Sequence, residues 1–208
     1  MNTDILSAQD PLALLRALEI LQLGGLVAFP TDTVYGVGAL AFNGAAVESI
    51  YAAKGRPVEK AIPVLIGDAD DLAKVSAEVP EIALKLAARF WPGPLTMVVP
   101  KHPGLPRAVS ATATVGVRIP DNPVARALLR LAGPMAVTSA NLSGQRSPST
   151  ALEVFAQLGG RIALILDGGK TPGGVPSTVV DCVGAELQVL RAGPITRSEI
   201  LAVSGQTL

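Results

Sequence analysis

Reactive sulfur and imidazole are almost missing from this chain, whose 208 residues hold one cysteine, Cys182, and one histidine, His102. A lone cysteine cannot close an internal disulfide and fits a reducing compartment. Zinc centres usually draw three or four ligands from Cys and His, so that chemistry is nearly excluded. Aromatics make up 3% of the residues, and 17 cations balance 17 anions. Base stacking on exposed rings and charge-driven wrapping of nucleic acid are both poorly supplied. No apolar run approaches the roughly 18 residues that span a bilayer. The opening MNTDILSAQD is acidic and too poor in apolar residues for a secretory signal. The expectation is a soluble, cytoplasmic, globular protein. At 49% hydrophobic residues it can bury a sizeable core.

Apolar runs alternate with helical patterns throughout. Asp10-Pro11 reads as a helix start, with LALLRALEILQL continuing to Gly24. A strand at 26–30 follows, then a helix after Asn43 (GAAVESIYAAK), a strand AIPVLI and a helix PEIALKLAARF. LTMVV and VGVRI read as strands, PVARALLRLA as a helix, MAVTS as a strand, STALEVFAQL as a helix and IALILD as a strand. STVVDCV and ELQVLRA are expected to pair antiparallel, and TRSEILAV closes as a helix capped by Thr196. The fold class is mixed α/β, with parallel and antiparallel pairing in one domain spanning 1–208. Cys182 reads as a buried core thiol, and His102 as a loop residue.

Polar clusters follow several of these strands. In PTDTVYG an apolar run breaks at Pro30 into hydroxyls and an acid, and the chain is expected to turn on Gly36 and Gly38. VRIPDNP, TSANLSG with SPST, and GVPSTVVD have the same character. Each alone is ordinary turn chemistry. Four of them in one small α/β domain point to a shared cavity at the strand ends.

The cations are more specific. Lys54 and Arg56 flank Gly55 just past a helix end, Pro57 stops the helix from resuming, and Lys60 follows. A helix-terminal lysine needs only the helix dipole to explain it. Arg56 and Lys60 on a rigid turn suit an anion such as a triphosphate. Arg118 is a cation within a strand and requires a negative partner, either a structural Asp or Glu or a ligand carboxylate. Neither common glycine loop is present. DGGKTPGG has Leu164 where a P-loop needs glycine, and GVGALA has Ala41 at the third glycine of a dinucleotide fingerprint.

PTDTVYGVG, KGRP, FWPGPLT, VGVRIP, SANLSG, SPST, STVVD and LRAGPIT together resemble the YrdC-like family, in order and over roughly residues 15 to 200. The resemblance implies an open, twisted mixed sheet flanked by helices and curled around a large, partly basic cavity. It implies L-threonylcarbamoyladenylate synthesis from L-threonine, bicarbonate or CO2, and ATP with Mg2+ on its phosphates, the first step of N6-threonylcarbamoyl modification of adenosine 37 in tRNA. By similarity, Thr33, Leu65, Arg118, Ser139 and Ser177 would surround threonine. Arg56, Lys60, Thr114, Asn141, Ser149 and Arg191 would line the ATP site, with Lys54 and Arg56 neutralising phosphate charge as the catalytic pair. The product would pass to a tRNA threonylcarbamoyl-transferase complex, with weak RNA binding and a monomeric or dimeric state also compatible. The family's additional C-terminal domain is not expected, making this the short form.

Two alternatives remain at this level. One is a non-catalytic RNA-binding module. The other is a carbamoyl-adenylate-handling domain of the hydrogenase-maturation type, although the accompanying acylphosphatase and zinc-finger segments are not represented.

Overall fold

The computed structural model describes residues 2–172, 174–184 and 186–204. Ten strands form one sheet: β1 (Asp4–Ser7), β2 (Val27–Phe29), β3 (Gly36–Leu40), β4 (Val64–Leu65), β5 (Leu95–Pro100), β6 (Thr114–Arg118), β7 (Met135–Ser139), β8 (Leu164–Asp167), β9 (Thr178–Asp181) and β10 (Gln188–Arg191). Their spatial order is β1-β8-β2-β3-β7-β4-β6-β5-β9-β10. The β1–β8, β2–β8, β4–β6 and β5–β9 pairs are parallel, and the other five are antiparallel. The expected mixed α/β sheet is therefore present.

Seven α-helices accompany it among the described residues: α1 (Ala13–Gln22), α2 (Gly44–Lys54), α3 (Leu72–Val75), α4 (Glu81–Phe90), α5 (Pro123–Ala132), α6 (Ala151–Leu158) and α7 (Arg197–Ser204). Local signals set most of their ends. Asn43 accepts from the Ala46 N–H at the start of α2, and Asn122 accepts from Val124 and Ala125 with Pro123 opening α5. Gly55, at φ +59°, ends α2 in the left-handed conformation that only glycine adopts cheaply. Thr196 caps α7 through the Glu199 N–H. The Asp10-Pro11 expectation is off by two residues: Asp10 accepts from the Leu12 N–H in a bend, and helix begins at Ala13.

The helices cover the sheet unequally. One apolar cluster packs α2, α4, α6 and α7 against one face, with Ile50, Leu86, Val154 and Ile200 fully buried. A second packs α1 and α5 on the opposite face, around Phe29, Leu129 and Leu166. That opposite face is left open over the middle of the sheet, and there the cavity forms. Cys182 is buried as expected, and loss of solvent pushes its thiol up to about 12. His102 accepts from the Gly104 N–H and meets the Phe42 ring edge-on.

The largest correction concerns Gly36 and Gly38. They do not turn the chain; they lie within β3, between β2 and β7. Glycine is needed because β7 side chains press over this strand. A Cβ on Gly36 would sit 2.7 Å from Val137 Cγ1, and one on Gly38 would sit 2.8 Å from both Val137 Cγ2 and the Ala136 carbonyl. β1, also absent from the sequence reading, adds an edge through parallel pairing with β8. AIPVLI yields a ladder only at Val64–Leu65, since Pro63 has no N–H to donate.

Gly38→Ala is expected to destabilise the protein by about 1–3 kcal/mol, the usual penalty of overpacking. Urea unfolding should show a lower midpoint with an unchanged slope.

Candidate active site

Alternation builds the cavity. On each of several strands the residues facing the open side are i, i+2 neighbours: Pro63 and Leu65, Thr96 and Val98, Gly116 and Arg118, Val137 and Ser139, Ser177 and Val179. The cavity volume is about 350 Å³, within the range of small-molecule sites. Gly116 keeps the floor low, since a Cβ there would lie 3.0 Å from Thr96 Cγ2.

Three guanidinium groups from separate segments converge on this hollow, those of Arg56, Arg118 and Arg191. Arg118, 6% exposed, donates from Nε to the Gly93 carbonyl at 3.0 Å, from one terminal nitrogen to Thr33 Oγ1 at 3.2 Å, and from the other to Asp32 Oδ1. Its required anion is thus a structural acid, Asp32. Burial pulls the Arg118 pKa below the ordinary arginine value, Asp32 opposes that shift, and the positive charge of Arg191 adds to it. Arg191 donates twice to the Ser177 carbonyl and once, at 3.0 Å, to Ser177 Oγ. Arg56 donates to the carbonyls of Lys60 and Ala61 at 3.2 and 3.0 Å, which folds the segment after Gly55 back on itself.

Of the residues expected to hold threonine, Thr33, Leu65, Arg118, Ser139 and Ser177 all line this cavity. Of those expected around ATP, Arg56 and Arg191 do so. The structure places the others elsewhere. Lys60 is exposed and contributes its carbonyl to Arg56 and Tyr51. Thr114 starts β6, with its hydroxyl 3.1 Å from that of Thr112. Ser149 lies in a separate hollow beside Arg146, Thr150 and Lys170, where its hydroxyl donates to Glu153. Asn141 is buried, donates to the Leu142 and Gln145 carbonyls, and keeps its Oδ1 without a partner among the described residues.

Lys54 needs a correction. It does not face the cavity; it is 2% exposed, and its Nζ donates to the Ser139 and Asn141 carbonyls. Its charge is therefore used to hold the SANLSG turn at the end of β7. Burial, reinforced by Arg56, lowers its pKa to about 8. Three groups went unrecognised as site components. Asp32 neutralises Arg118. Thr96 has its hydroxyl 2.8 Å from Ser177 Oγ. Tyr35 donates at 2.7 Å to the Gly169 carbonyl and accepts from the Gly168 N–H, anchoring the chain beyond β8. The available signal for Thr96 was a hydroxyl in phase with Val98 on the inward face of an otherwise apolar strand.

The sequence model of the Sua5/YciO/YrdC family, described as "Telomere recombination", matches residues 19–193. A Bacillus subtilis protein named threonylcarbamoyl-AMP synthase is 47% identical over 206 residues, covering 98% of this chain and 59% of its own length. A Mycobacterium tuberculosis protein named putative threonylcarbamoyl-AMP synthase is 42% identical, covering 92% of this chain and 89% of its own. The crystal structure of Pyrococcus abyssi Sua5 complexed with L-threonine superposes with a TM-score of 0.90 at 40% identity, over 98% of this chain and 60% of that one. The chain thus spans little more than half the length of several relatives that it matches. No helix among the described residues is long and apolar enough to cross a membrane.

Lys54 has a pH signature. The unfolded chain keeps this proton up to the ordinary lysine value of 10.5, whereas the folded protein releases it near 8. The unfolded state thus binds more protons across that window, and the Lys54 contribution to stability rises with pH. Relative to Lys54→Met, wild type should gain stability from about pH 8 toward 10.5, measured by denaturant titration at each pH. A constant difference would refute the assignment. Separately, Asp32→Ala should cost roughly 3–5 kcal/mol by leaving Arg118 buried without its counter-ion.

Proposed function

The chain belongs to the Sua5/YciO/YrdC family, and on that premise we propose that it joins L-threonine, bicarbonate or CO2, and ATP into L-threonylcarbamoyl-AMP with release of pyrophosphate. One observation supports this above the others: Arg56, Arg118 and Arg191, from three distant segments, meet in one cavity with the hydroxyls of Thr33 and Ser177. An amino acid requires fixed polar groups at one end, and a triphosphate requires several positive charges at the other.

Arg118, braced by Asp32, is oriented to bind the threonine carboxylate with donors that Gly93, Thr33 and Asp32 do not consume. Leu65, with Pro63 and Val137, offers an apolar wall for the methyl group. Arg56 and Arg191 take the phosphates. Mg2+ brought in with ATP would add to the neutralisation of phosphate charge that Arg56 and Arg191 provide.

The threonine ammonium first loses a proton to solvent; its amine then attacks carbon dioxide with release of a second proton, or bicarbonate with loss of water, giving an N-carboxylate. A carboxylate oxygen then bonds to the α-phosphorus while the bridge to the β-phosphate breaks. Such a transfer depends on alignment and charge neutralisation, and it requires no covalent protein nucleophile. The cavity floor and side walls would shield the mixed anhydride in part from attack by water. The product is an activated carbamoyl donor, and its consumer would be a transferase acting on adenosine 37 of tRNA.

Purified protein incubated with L-threonine, bicarbonate and MgATP should yield threonylcarbamoyl-AMP and one pyrophosphate per product, detected by mass spectrometry. Arg56→Ala should lower turnover at least 100-fold while shifting the melting temperature by only a few degrees. Pyrophosphate release that ignores threonine would overturn the proposal.

A further inference from the structure

Hydroxyls in the cavity wall are wired to one another, and counting their protons reveals which can serve a ligand as donors. Thr31 Oγ1 donates its single proton to the Val34 carbonyl at 2.7 Å. Its oxygen also accepts from the Thr33 and Val34 N–H groups at 3.1 and 3.3 Å, which occupies both lone pairs. Thr33 Oγ1, 3.0 Å away, accepts from Arg118 and is not committed to Thr31 as a donor.

Ser177 and Thr96 form a second linked pair. Ser177 Oγ accepts from Arg191, a group that can only donate, at 3.0 Å. It lies 2.8 Å from Thr96 Oγ1, and both residues are 4% exposed. The pair owns two hydroxyl protons and spends one between its members, so one is left for the cavity. The stiff χ1 of β-branched Thr96, on a strand hydrogen-bonded to β6 on one side and β9 on the other, fixes its oxygen against that of Ser177, so the pair keeps one spare proton whichever way the shared one points.

We propose that Thr96 and Ser177 act as one donor unit: one hydroxyl donates within the pair and the other turns its proton into the cavity, to an acceptor oxygen of the bound amino acid. Hydroxyls linked to each other and to a guanidinium polarise one another, which strengthens the donor that remains. Because Arg191 shares the Ser177 oxygen, the amino-acid end and the phosphate end meet at this pair. The inference rests on the amino-acid reading of the cavity, and it goes further by giving Thr96 a place in the binding of that amino acid.

Calorimetric binding of L-threonine to the full chain tests it with Thr96→Val, Thr96→Ala, Thr96→Ser, Ser177→Ala and the double variant Thr96→Val/Ser177→Ala. Thr96→Val is nearly isosteric and should keep the wild-type melting temperature within a few degrees, with Thr96→Ala as the second probe. We expect Thr96→Val and Ser177→Ala each to weaken threonine binding about tenfold, in line with loss of a buried hydrogen bond. Thr96→Ser should recover to within about threefold of wild type. The double variant should bind no more weakly than Ser177→Ala alone, because the two hydroxyls act as one unit. Wild-type affinity in Thr96→Val, or losses that multiply in the double variant, would overturn the proposal. Adenylate formation measured on the same samples separates the two readings: a wild type that binds threonine but makes no threonylcarbamoyl-AMP refutes the proposed reaction and leaves the binding cycle decisive for Thr96.

Discussion

The site depends on one buried ion pair. A guanidinium on an internal strand is tolerable only if a counter-charge meets it in fixed geometry, and Asp32 does so for Arg118. Asp32 lies on the segment joining β2 to β3, so the pair also fastens that segment across the sheet to β6. Thr33 is held beside the pair by Arg118 itself, and Gly93 is drawn in from the approach to β5. Two pieces of chain distant in sequence from β6, at residues 32–33 and at Gly93, are thereby fixed relative to one guanidinium. That kind of preorganisation lets a small cavity orient a flexible amino acid without rearranging.

The opposite wall solves a related problem differently. Arg191 has no carboxylate partner among the described residues and is held by the carbonyl and hydroxyl of Ser177. Its charge is oriented without being cancelled. Arg56 is arranged similarly, by two carbonyls of its own turn. The cavity therefore combines a neutralised cation near Thr33 with two uncompensated ones elsewhere on its rim. An amino-acid zwitterion suits the first environment, and a polyanion suits the second.

Features that depend on near neighbours were the legible ones. The bounds of α2 and α5 follow from Asn43, Gly55, Asn122 and Pro123, each acting within a turn of its own position. The antiparallel partnership of β9 and β10 also follows from adjacency. β1 was invisible because its pairing partner, β8, is some 160 residues away and its own segment carries no apolar alternation. β3 was hidden by Gly36 and Gly38, whose reason for being glycine is Val137, a residue on another strand. In the site, the need of Arg118 for an anion was readable from its strand environment, although the choice of Asp32 was not. The charge of Lys54 was plain, but its destination depended on where the end of β7 came to rest, and that is settled by tertiary packing. Thr96 could not be told from an ordinary strand threonine until Ser177 stood opposite it.

The strand carrying Arg191 is also the last of the sheet. β10 is bonded only to β9, and its register slips between Val189 and Arg191. The strands bearing Arg118 and Thr96 are flanked on both sides. Local opening free energy is lowest where few backbone bonds hold a segment. The two ends of the hollow consequently differ in compliance: the floor behaves as a fixed die, while the Arg191 flank can breathe without unfolding its neighbours. A bulky ligand entering from that flank would meet a yielding gatepost, and the smaller one already seated beneath would stay undisturbed.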